Sequence, residues 1–594
     1  MTPKLLLLAV LAGLATVGAS AGCGGGSGGD GAPAGGGRGS VTSSGGGPAA
    51  GTPGGKLTVI SAYDVDFVDP GRTYYAYGFM VSSAVNRTLY AYAPGMGATP
   101  VPDLAKEAPE ISDDRKTVTV KLRRGVRFSP PVNREVQAKD VQYAFERAFA
   151  ENVPNGYAPF YFGDVMGAPA RPGALRNVPG IETPDEHTVV FHLTKPSGVT
   201  VAGALTLPIT SPVPQEYARR FDAKSPSTYD DHVAFTGPYM IRNNAEGRLI
   251  GRRKGASIDL VRNPSWDKET DFRPAYIDEV RIDAGNVDAA AASRRVLGGS
   301  GLMQGDLRPP PPVVAGALKE TPRQVAFVPN GGFRFVALNT KVKPFDDLNV
   351  RKAVLAAFDR RAMVATRGGE DFGAPATHFL PPGFPGHTEA GGAAGTGADF
   401  LAKPRGDLAL ARSYLRKAGY RSGRYDGRAK LIMAGVNEAP GRRSAEVARA
   451  QLRKLGFKPV LRLVSQDTLY RQFCNVPGTK VAVCPNAGSF QDFQDPQALL
   501  APPFDGSAIG SATSTNAAQL DDPDINAAMK RAALLLPGPE RNRAWARIDR
   551  MVVAQAPGVP WSWDKIPLLA SKDVRAVPST HTRNWDLSFS SRGG

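Results

Sequence analysis

Two carboxylates three residues apart, Asp492 and Asp495, lie close to the aromatic residues Phe490 and Phe493. The short apolar run at 480–483 predicts a buried strand, so both acids are expected on the loop that follows it. A half-desolvated carboxylate needs a charged partner and can therefore hold a cation or an amine. Asp492 is the candidate for this role, with Phe490 and Phe493 beside the ligand. In the rival hypothesis Asp492 only caps a turn, and Asp495 is expected to shape the turn before the next proline.

Sequence signatures of catalytic and metal sites are missing. The sequence has no phosphate-binding Gly-x-x-x-x-Gly-Lys-Ser/Thr loop, no His-Glu-x-x-His and no Cys-x-x-Cys. Its six histidines are spread out, and none has a neighbour at metal-ligand spacing. We therefore expect no enzyme activity, no catalytic residues, no cofactor and no metal. A hydrolase with two carboxylates stays open as an alternative, because such acids can be far apart in the sequence.

The N-terminus has the pattern of an export signal. In residues 1–22, an apolar stretch at 5–15 is too short for a permanent membrane-spanning helix and is followed by small residues. The ending Ser20-Ala-Gly-Cys23 resembles the bacterial lipoprotein cleavage box, in which the cysteine becomes the lipidated first residue, although Ser20 stands where leucine is usual. Residues 23–55 are rich in glycine, serine and proline and are expected to form a flexible tether.

The remaining two cysteines, Cys474 and Cys484, form an even pair at short spacing. In the oxidising compartment that an export signal implies, such a pair favours a disulfide. A bond that closes a loop of this size would contribute roughly 2–3 kcal/mol in the chain-entropy model. A zinc site is the rival hypothesis, but no histidine lies nearby and two thiolates alone are a poor ligand set.

Length and composition are those of a multi-domain globular protein. The 594 residues are 42% hydrophobic and 21% charged, and this length suggests about two to four domains. The formal charge is +17, but lysine and arginine are scattered and no run reaches five. We therefore expect no nucleic-acid partner, and a basic surface that lies near anionic lipid or wall polymer.

The globular part alternates strand and helix patterns, which indicates mixed α/β layers. Period-two or short apolar runs predict strands at 56–60, 116–123, 188–193, 333–339 and 460–464. Apolar residues at helical spacing predict helices at 137–149 and from Asn349, Asp407 and Ser444 onward. In the helix that starts at Asp407, Leu408 is among the residues expected to face inward.

Several segments resemble the family 5 extracellular solute-binding proteins, the dipeptide and oligopeptide receptors of ABC importers. They occur in the family's order and cover nearly all of 56–594. The segments are Arg87-Thr-Leu-Tyr90, Pro102-Asp-Leu-Ala105, Ile111-Ser-Asp-Asp114, Leu122-Arg-Arg-Gly-Val-Arg-Phe128, Ala138-Lys-Asp-Val-Gln-Tyr-Ala-Phe-Glu-Arg147, Thr236-Gly-Pro-Tyr239, Arg262-Asn-Pro-Ser-Trp266, Arg273-Pro-Ala-Tyr276, Asn349-Val-Arg-Lys-Ala353, Phe358-Asp-Arg360 and Phe379-Leu-Pro-Pro382.

The resemblance implies an α/β, two-lobed periplasmic-binding-protein fold (type II, venus-flytrap) with an extra domain in one lobe. The implied ranges are 56–90, 236–325 and 556–594 for a discontinuous lobe I, 91–235 for the extra domain and 326–555 for lobe II. It also implies a monomer that is lipid-anchored at the extracytoplasmic face of the bacterial cell membrane. Its partners would be a peptide or small-molecule ligand and the permease subunits of an ABC importer.

For the site, the resemblance points to an acid in an Asp-Tyr-x-Asp-Pro-like segment that holds the ligand's α-ammonium. The matching segment here is Asp492-Phe-Gln-Asp-Pro496, so Asp492 takes that role. Phe493 replaces the usual tyrosine, and Ser489-Phe490 stands where Gly-Trp is common, so the family's side-chain preference does not carry over. A receptor for a non-peptide ligand, a sensory protein on the same fold and a secreted hydrolase remain as alternatives.

The lipoprotein hypothesis predicts that Cys23→Ser releases the protein into the medium or leaves it unprocessed, because the acceptor of the lipid is gone. Fractionation of cells into medium and membrane, with the N-terminus mapped by mass spectrometry, measures this. A normally processed variant that stays in the membrane fraction would contradict the hypothesis.

Overall fold

The computed structural model describes residues 51–510 and 514–593. The predicted signal peptide, Cys23 and almost all of the predicted tether lie outside the described residues. Within the part that is described, no helix is long and apolar enough to cross a membrane.

One mixed sheet is built from segments that are far apart in the sequence. Its central strand Lys56–Ile60 pairs in parallel with two others, whereas the remaining strands pair antiparallel. In order the strands are Leu302–Gln304, Lys56–Ile60, Glu279–Asp283, Ser257–Arg262 and Tyr239–Ile241, with Arg252–Arg253 beside Ser257–Arg262. The chain therefore leaves this sheet after its first strand and returns more than 170 residues later.

A second sheet has a helical layer and the largest apolar core of the described residues. In order its strands are Val325–Pro329, Gly558–Leu569, Gly332–Leu338, Val483–Phe490, Leu431–Val436 and Pro459–Val464, with Gly373–Ala374 beside Gly558–Leu569. Strand Gly558–Leu569 pairs with three strands of this sheet, while its last residues also pack against the first sheet. The predicted ranges placed all of 556–594 in lobe I. The strand pairing differs from this prediction, because residues 558–569 pair within the second sheet.

The segment 91–235 carries a sheet of its own, and its apolar residues form a core that also takes in Phe79, Leu89, Phe493 and Ala498 from outside the segment. Val118 and Val120 alternate inward along Thr117–Lys121, as the period-two pattern predicts. This small sheet has the order Glu110–Ile111, Thr117–Lys121, Thr188–His192 and Ile181–Asp185. Two hairpins complete the strands: Tyr90–Ala91 with Val101–Pro102, and Val574–Ser579 with Asn584–Arg592.

Helices cover the sheets, and several have an aspartate as their N-cap. The Asp407 carboxylate accepts a hydrogen bond from the Leu410 amide, and Asp347 caps its helix in the same way. The α-helices are Ala76–Val85, Ala138–Ala148, Ala158–Tyr161, Gly198–Ala204, Gln215–Asp222, Ala289–Gly298, Pro311–Glu320, Leu348–Ala357, Arg360–Ala365, His387–Ala390, Leu408–Lys417, Gly441–Lys454, Gln466–Thr468, Pro496–Phe504, Pro523–Ala533 and Pro539–Gln555.

Three local predictions differ from the structure. The strand before Asp492 is Val483–Phe490 rather than 480–483, because sheet pairing on both sides outweighs the poor strand propensity of Pro485 and Gly488. The helix predicted from Ser444 begins at Gly441. Leu408, predicted to face inward, is 40% exposed because it lies in the first turn, before the helix reaches the core.

Cys474 and Cys484 are joined by a disulfide, as predicted. The bond ties the end of the helical turn Leu469–Cys474 to the strand Val483–Phe490 that leads to Asp492.

Replacing both cysteines, in Cys474→Ser/Cys484→Ser, is expected to lower the free energy of unfolding by roughly 2–3 kcal/mol, because the unfolded chain gains freedom. Urea unfolding of the variant and of wild type, each with and without reductant, measures this. Reductant should destabilise wild type alone. Complete alkylation of both cysteines in unreduced wild type would contradict the bond.

Candidate ligand-binding site

Asp492 lies on the loop between the strand Val483–Phe490 and the helix Pro496–Phe504. The strand fixes the start of this loop, since the Gln491 amide donates to the Gly331 carbonyl at 2.8 Å. The loop is thereby held at the end of an interior strand of the second sheet. From it the Asp492 carboxylate points towards Tyr161 of the segment 91–235.

The Asp492 carboxylate is half-buried and has one direct hydrogen-bond partner among the described residues. The Tyr161 hydroxyl donates to Oδ2 at 2.5 Å, across a sequence separation of 331 residues. Burial raises the pKa of Asp492 above its usual value, although the hydrogen bond from Tyr161 and the charge of Arg583 act in the opposite direction. The site thus holds a carboxylate that has lost much of its water without gaining a cation in direct contact.

Aromatic rings from the segment 91–235 and from the first lobe form a wall beside this carboxylate. Tyr74 stacks on Tyr157 with ring centroids 4.8 Å apart, and Tyr157 lies 6.3 Å from Tyr161. Burial, and after it the charge of Asp492, raises the pKa of Tyr157 and Tyr161 well above the usual value. Both phenols therefore stay neutral. Tyr74 is 51% exposed, so the wall of aromatic rings extends to the protein surface.

The two predicted aromatic site residues occupy different surroundings. Phe493 is buried, with its ring edge-to-face on Tyr161 at 5.1 Å, and Gly203 permits this because a Cβ there would lie 2.7 Å from the ring. Phe490 is half-buried, and the Arg334 guanidinium lies 5.1 Å from its ring centroid. Phe493 thus supports the wall behind Asp492, and Phe490 keeps a partly exposed face.

Asp495 has a structural role, as its position before proline predicts. Its carboxylate caps the helix Pro496–Phe504 by accepting from the Gln497 amide at 2.8 Å. The Arg541 guanidinium donates to both of its oxygens, each at 2.8 Å. With both oxygens engaged, Asp495 leaves Asp492 as the acid of this loop that faces the other domain.

The tip of the C-terminal hairpin, residues 580–583, is a part of the site that the sequence did not point to. Gln491 and Gln494 donate from their side chains to the Thr580 carbonyl and hydroxyl, each at 3.2 Å. The His581 ring lies 4.5 Å from that of Tyr92. The tip, from the last hairpin of the described chain, therefore meets the Asp492 loop and the aromatic residues of the other domain at one place.

Tyr161 and Arg583 carry no local signal of function in the sequence. Tyr161 sits in an aromatic-rich stretch that reads as core, and Arg583 is one of many scattered arginines. Only contacts over long sequence separations bring these residues to Asp492. Among the described residues, no group of three or more histidine, cysteine or acidic side chains is placed to hold a metal ion.

Comparison with known proteins places this geometry in a family. Residues 99–511 match the family model described as bacterial extracellular solute-binding proteins, family 5. The chain is 28% identical over 382 residues to di/tripeptide-binding protein 3 of Pseudomonas aeruginosa, covering 62% of this chain and 64% of that protein. It is 26% identical over 481 residues to heme-binding protein A of Haemophilus influenzae, covering 78% and 79%. The match with the first of these relatives thus spans slightly less than two thirds of its length.

A solved structure confirms the predicted architecture. Clavulanic acid biosynthesis oligopeptide binding protein 2 superposes with a TM-score of 0.79 at 27% identity, covering 91% of this chain and 96% of that one. The fold is therefore the two-lobed periplasmic-binding fold that the sequence predicted. The matched family model, which spans most of the chain, and this shared architecture lead to one conclusion: the chain belongs to the bacterial extracellular solute-binding proteins of family 5.

Proposed function

We propose that this protein is the solute-binding receptor of an ABC importer and captures a peptide or another amine-bearing solute between its lobes. One observation carries the proposal: the half-buried Asp492 carboxylate faces a wall of tyrosines from another domain and has no cation in direct contact among the described residues. A ligand ammonium would supply the missing charge.

The ligand chemistry follows from how Asp492 is held. Tyr161 occupies Oδ2, so Oδ1 keeps its acceptor capacity for an N–H donor of the ligand. The neutral phenol rings of Tyr157 and Tyr161 would present apolar faces to the ligand, and they add no charge that competes with Asp492. When an ammonium binds here, the water around it is replaced by one charged carboxylate and by several polarisable aromatic rings.

The relatives are named for different ligands, so the class of ligand that this chain binds has to be inferred from its own residues. The Pseudomonas protein is named for di- and tripeptides, and the Haemophilus protein for heme. A desolvated acid at the centre of the site repels the carboxylates of a porphyrin and attracts an amine. Asp492 therefore favours peptides for this chain.

The remaining assignments follow from the same proposal. The export signal and Cys23 would anchor the protein by a lipid at the extracytoplasmic face of the membrane, with 23–55 as tether. The monomer would deliver its ligand to permease subunits when the lobes close. Phe490 would contact the ligand through its exposed face, and Phe493 would act from behind the tyrosine wall.

Asp492→Asn is expected to lower affinity for an amine ligand about a hundredfold or more, because the variant keeps the shape of the side chain and loses its charge. The probe is the tightest-binding member of a panel of synthetic di- and tripeptides, titrated by calorimetry. Asp467→Asn is the matched control, since Asp467 belongs to the same lobe and its side chain is 71% exposed.

N-acetylation of the same peptide should weaken binding to wild type and barely change binding to Asp492→Asn. Equal affinities of both proteins for the free peptide would remove the amine-anchor role. If Asp492 instead caps a turn, the variant would unfold more easily and bind almost normally once folded.

The raised pKa of Asp492 predicts a pH dependence of the ligand-free protein. A carboxyl whose pKa is raised by folding favours its protonated form, so the stability it contributes is present at low pH and lost as pH rises through the raised pKa. Ligand-free Asp492→Asn should thus exceed wild type in melting temperature at neutral pH, and the difference should shrink as the pH approaches the ordinary aspartate range.

Peptide binding should show the opposite trend, because the ammonium needs the ionised acid. Wild-type affinity is expected to fall as the pH drops through the raised pKa, whereas Asp492→Asn should show a flatter profile. Thermal melts and calorimetry over the same pH series measure both effects. A melting-temperature difference independent of pH would contradict the raised pKa.

A further inference from the structure

We propose that the protein docks on the anionic phospholipid surface of the membrane through a basic surface at the C-terminal ends of two neighbouring helices. The proposal goes beyond the proposed function, because it concerns what holds the receptor at the bilayer and not what the receptor captures. An uneven distribution of unpaired positive charge carries it.

The positive charge of the protein is concentrated in one short part of the chain. Residues 403–462 contain 16 lysines and arginines and four acids, which gives +12 of the formal net charge of +17. The whole of the remaining chain therefore carries +5. No run of five basic residues marks this concentration, because the charges are spread over two helices and the segments beside them.

Most of these charges have no acidic partner within the protein. Lys403 pairs with Asp407 and Arg442 with Glu446, in each case with a residue one helical turn away. The other lysines and arginines of 403–462 form no ion pair with any residue that the structure describes. Crowded like charges repel one another in the free protein, so such a region favours an external anion.

Folding brings the ends of the two helices together. The helix Leu408–Lys417 is followed by the segment 418–430, and the helix Gly441–Lys454 ends beside that segment. The amide of Tyr425 donates to the carbonyl of Leu455, the C-cap of the second helix, at 2.8 Å. Two stretches of basic residues that the sequence separates thus become neighbours.

The segment 418–430 also packs on the exposed face of the first helix. A Cβ added at Gly423 would lie 3.0 Å from the Cβ of Arg412 and 3.0 Å from Nη1 of Arg416. The helix ends and the segment therefore present their charges side by side. We call the exposed residues gathered here the basic surface: Arg416, Lys417, Arg421, Arg424, Arg453 and Lys454.

The acids near the basic surface do not neutralise it. Burial, then the neighbouring Tyr425 and the charges of Asp347, Asp426 and Asp346, raise the pKa of Tyr420 in the segment 418–430. These three acids are thus close to the segment, but they face six basic side chains. A net positive charge remains on the surface.

Helix geometry explains part of this pattern and leaves part of it unexplained. The last turn of each of the two helices carries two basic residues, where the negative end of the helix dipole attracts cations. Arg421 and Arg424 lie beyond the helix end, so the dipole gives no reason for their charge. An anionic partner accounts for both sets.

The chemistry of the basic residues favours phosphate as that anion. Eleven of the 16 basic residues of 403–462 are arginines, whose planar guanidinium donates two parallel hydrogen bonds to a phosphate group. Clusters of basic residues bind anionic phospholipid, and each added lysine or arginine strengthens the attachment. The proposed lipid anchor and a tether with a reach of about 30 Å keep the globular part beside the bilayer, which makes phospholipid the nearest extended phosphate surface.

The probes are vesicles of phosphatidylcholine alone and vesicles that also contain phosphatidylglycerol, with binding measured by co-sedimentation. All proteins are the mature form, residues 23–594 with Cys23→Ser, so that neither the export signal nor a lipid contributes. The test variant is Arg416→Gln/Lys417→Gln/Arg421→Gln/Arg424→Gln.

The matched control removes the same number of charges from exposed residues of the segment 91–235 and its flank that form no ion pair among the described residues. It is Lys106→Gln/Arg124→Gln/Arg171→Gln/Lys224→Gln. Because both variants lose four positive charges, a comparison between them separates the basic surface from the effect of net charge.

We expect the Cys23→Ser protein and the control to bind the anionic vesicles and not the neutral ones. The test variant should bind the anionic vesicles about tenfold or more weakly, since four of the six contacts with phosphate are removed. Raising the ionic strength from about 0.05 M to about 0.5 M should release the bound proteins, because screening shortens the range of the attraction.

Absence of binding to anionic vesicles, or an equal loss of binding in the test and control variants, would overturn the proposal. Binding of soluble polyphosphate without binding of vesicles would also overturn it, because the surface would then serve a polymer. Peptide affinity should be the same in both variants, so a failure of the peptide assignment is measured separately by calorimetry. If circular dichroism shows that the test variant has not folded, Arg421→Gln/Arg424→Gln replaces it and should still bind more weakly than the control.

Discussion

Burial removes much of the water from the Asp492 carboxylate, and this loss of hydration is unfavourable. The lobes are arranged so that parts of both surround this one group. The second sheet supplies the strand that delivers the acid, and the segment 91–235 supplies the phenol that binds it. Neither part encloses Asp492 alone. The hydrogen bond from Tyr161 therefore makes the ionisation of Asp492 depend on how two distant segments of the chain are placed.

Buried charge pairs hold the first lobe and the domain 91–235 in the arrangement that the site requires. Arg147 joins Asp69 to Asp222, and Arg87 and Arg273 both contact Asp103. Asp69 and Arg147 are 78 residues apart and Asp103 and Arg273 are 170 apart, whereas Arg87 and Asp103 are separated by 16. Such pairs add little net stability compared with apolar packing, but breaking one leaves an uncompensated buried charge, which disfavours other arrangements of the domains.

The sequence was most informative where structure follows from neighbouring residues. Alternation predicted Thr117–Lys121, a proline predicted the structural role of Asp495, and spacing predicted the disulfide. It was least informative where sheet pairing decides, because Pro485 and Gly488 look unlike strand residues and yet lie in a paired strand. Asp492 is a candidate from the sequence because its own loop carries the pattern, whereas Tyr161 and Arg583 come near it only through folding.

The division of the site between domains has a consequence for how this protein can change its ligand. Tyr157 and Tyr161 belong to the segment 91–235, whereas Asp492 follows a strand of the second sheet, and Phe493 of its loop packs on Tyr161. Substitutions in the tyrosine wall can thus reshape the space around the ligand without disturbing the strand that positions the acid. Diversification of the receptor, natural or in the laboratory, can proceed by exchanging one face of the cleft while the other keeps its charge.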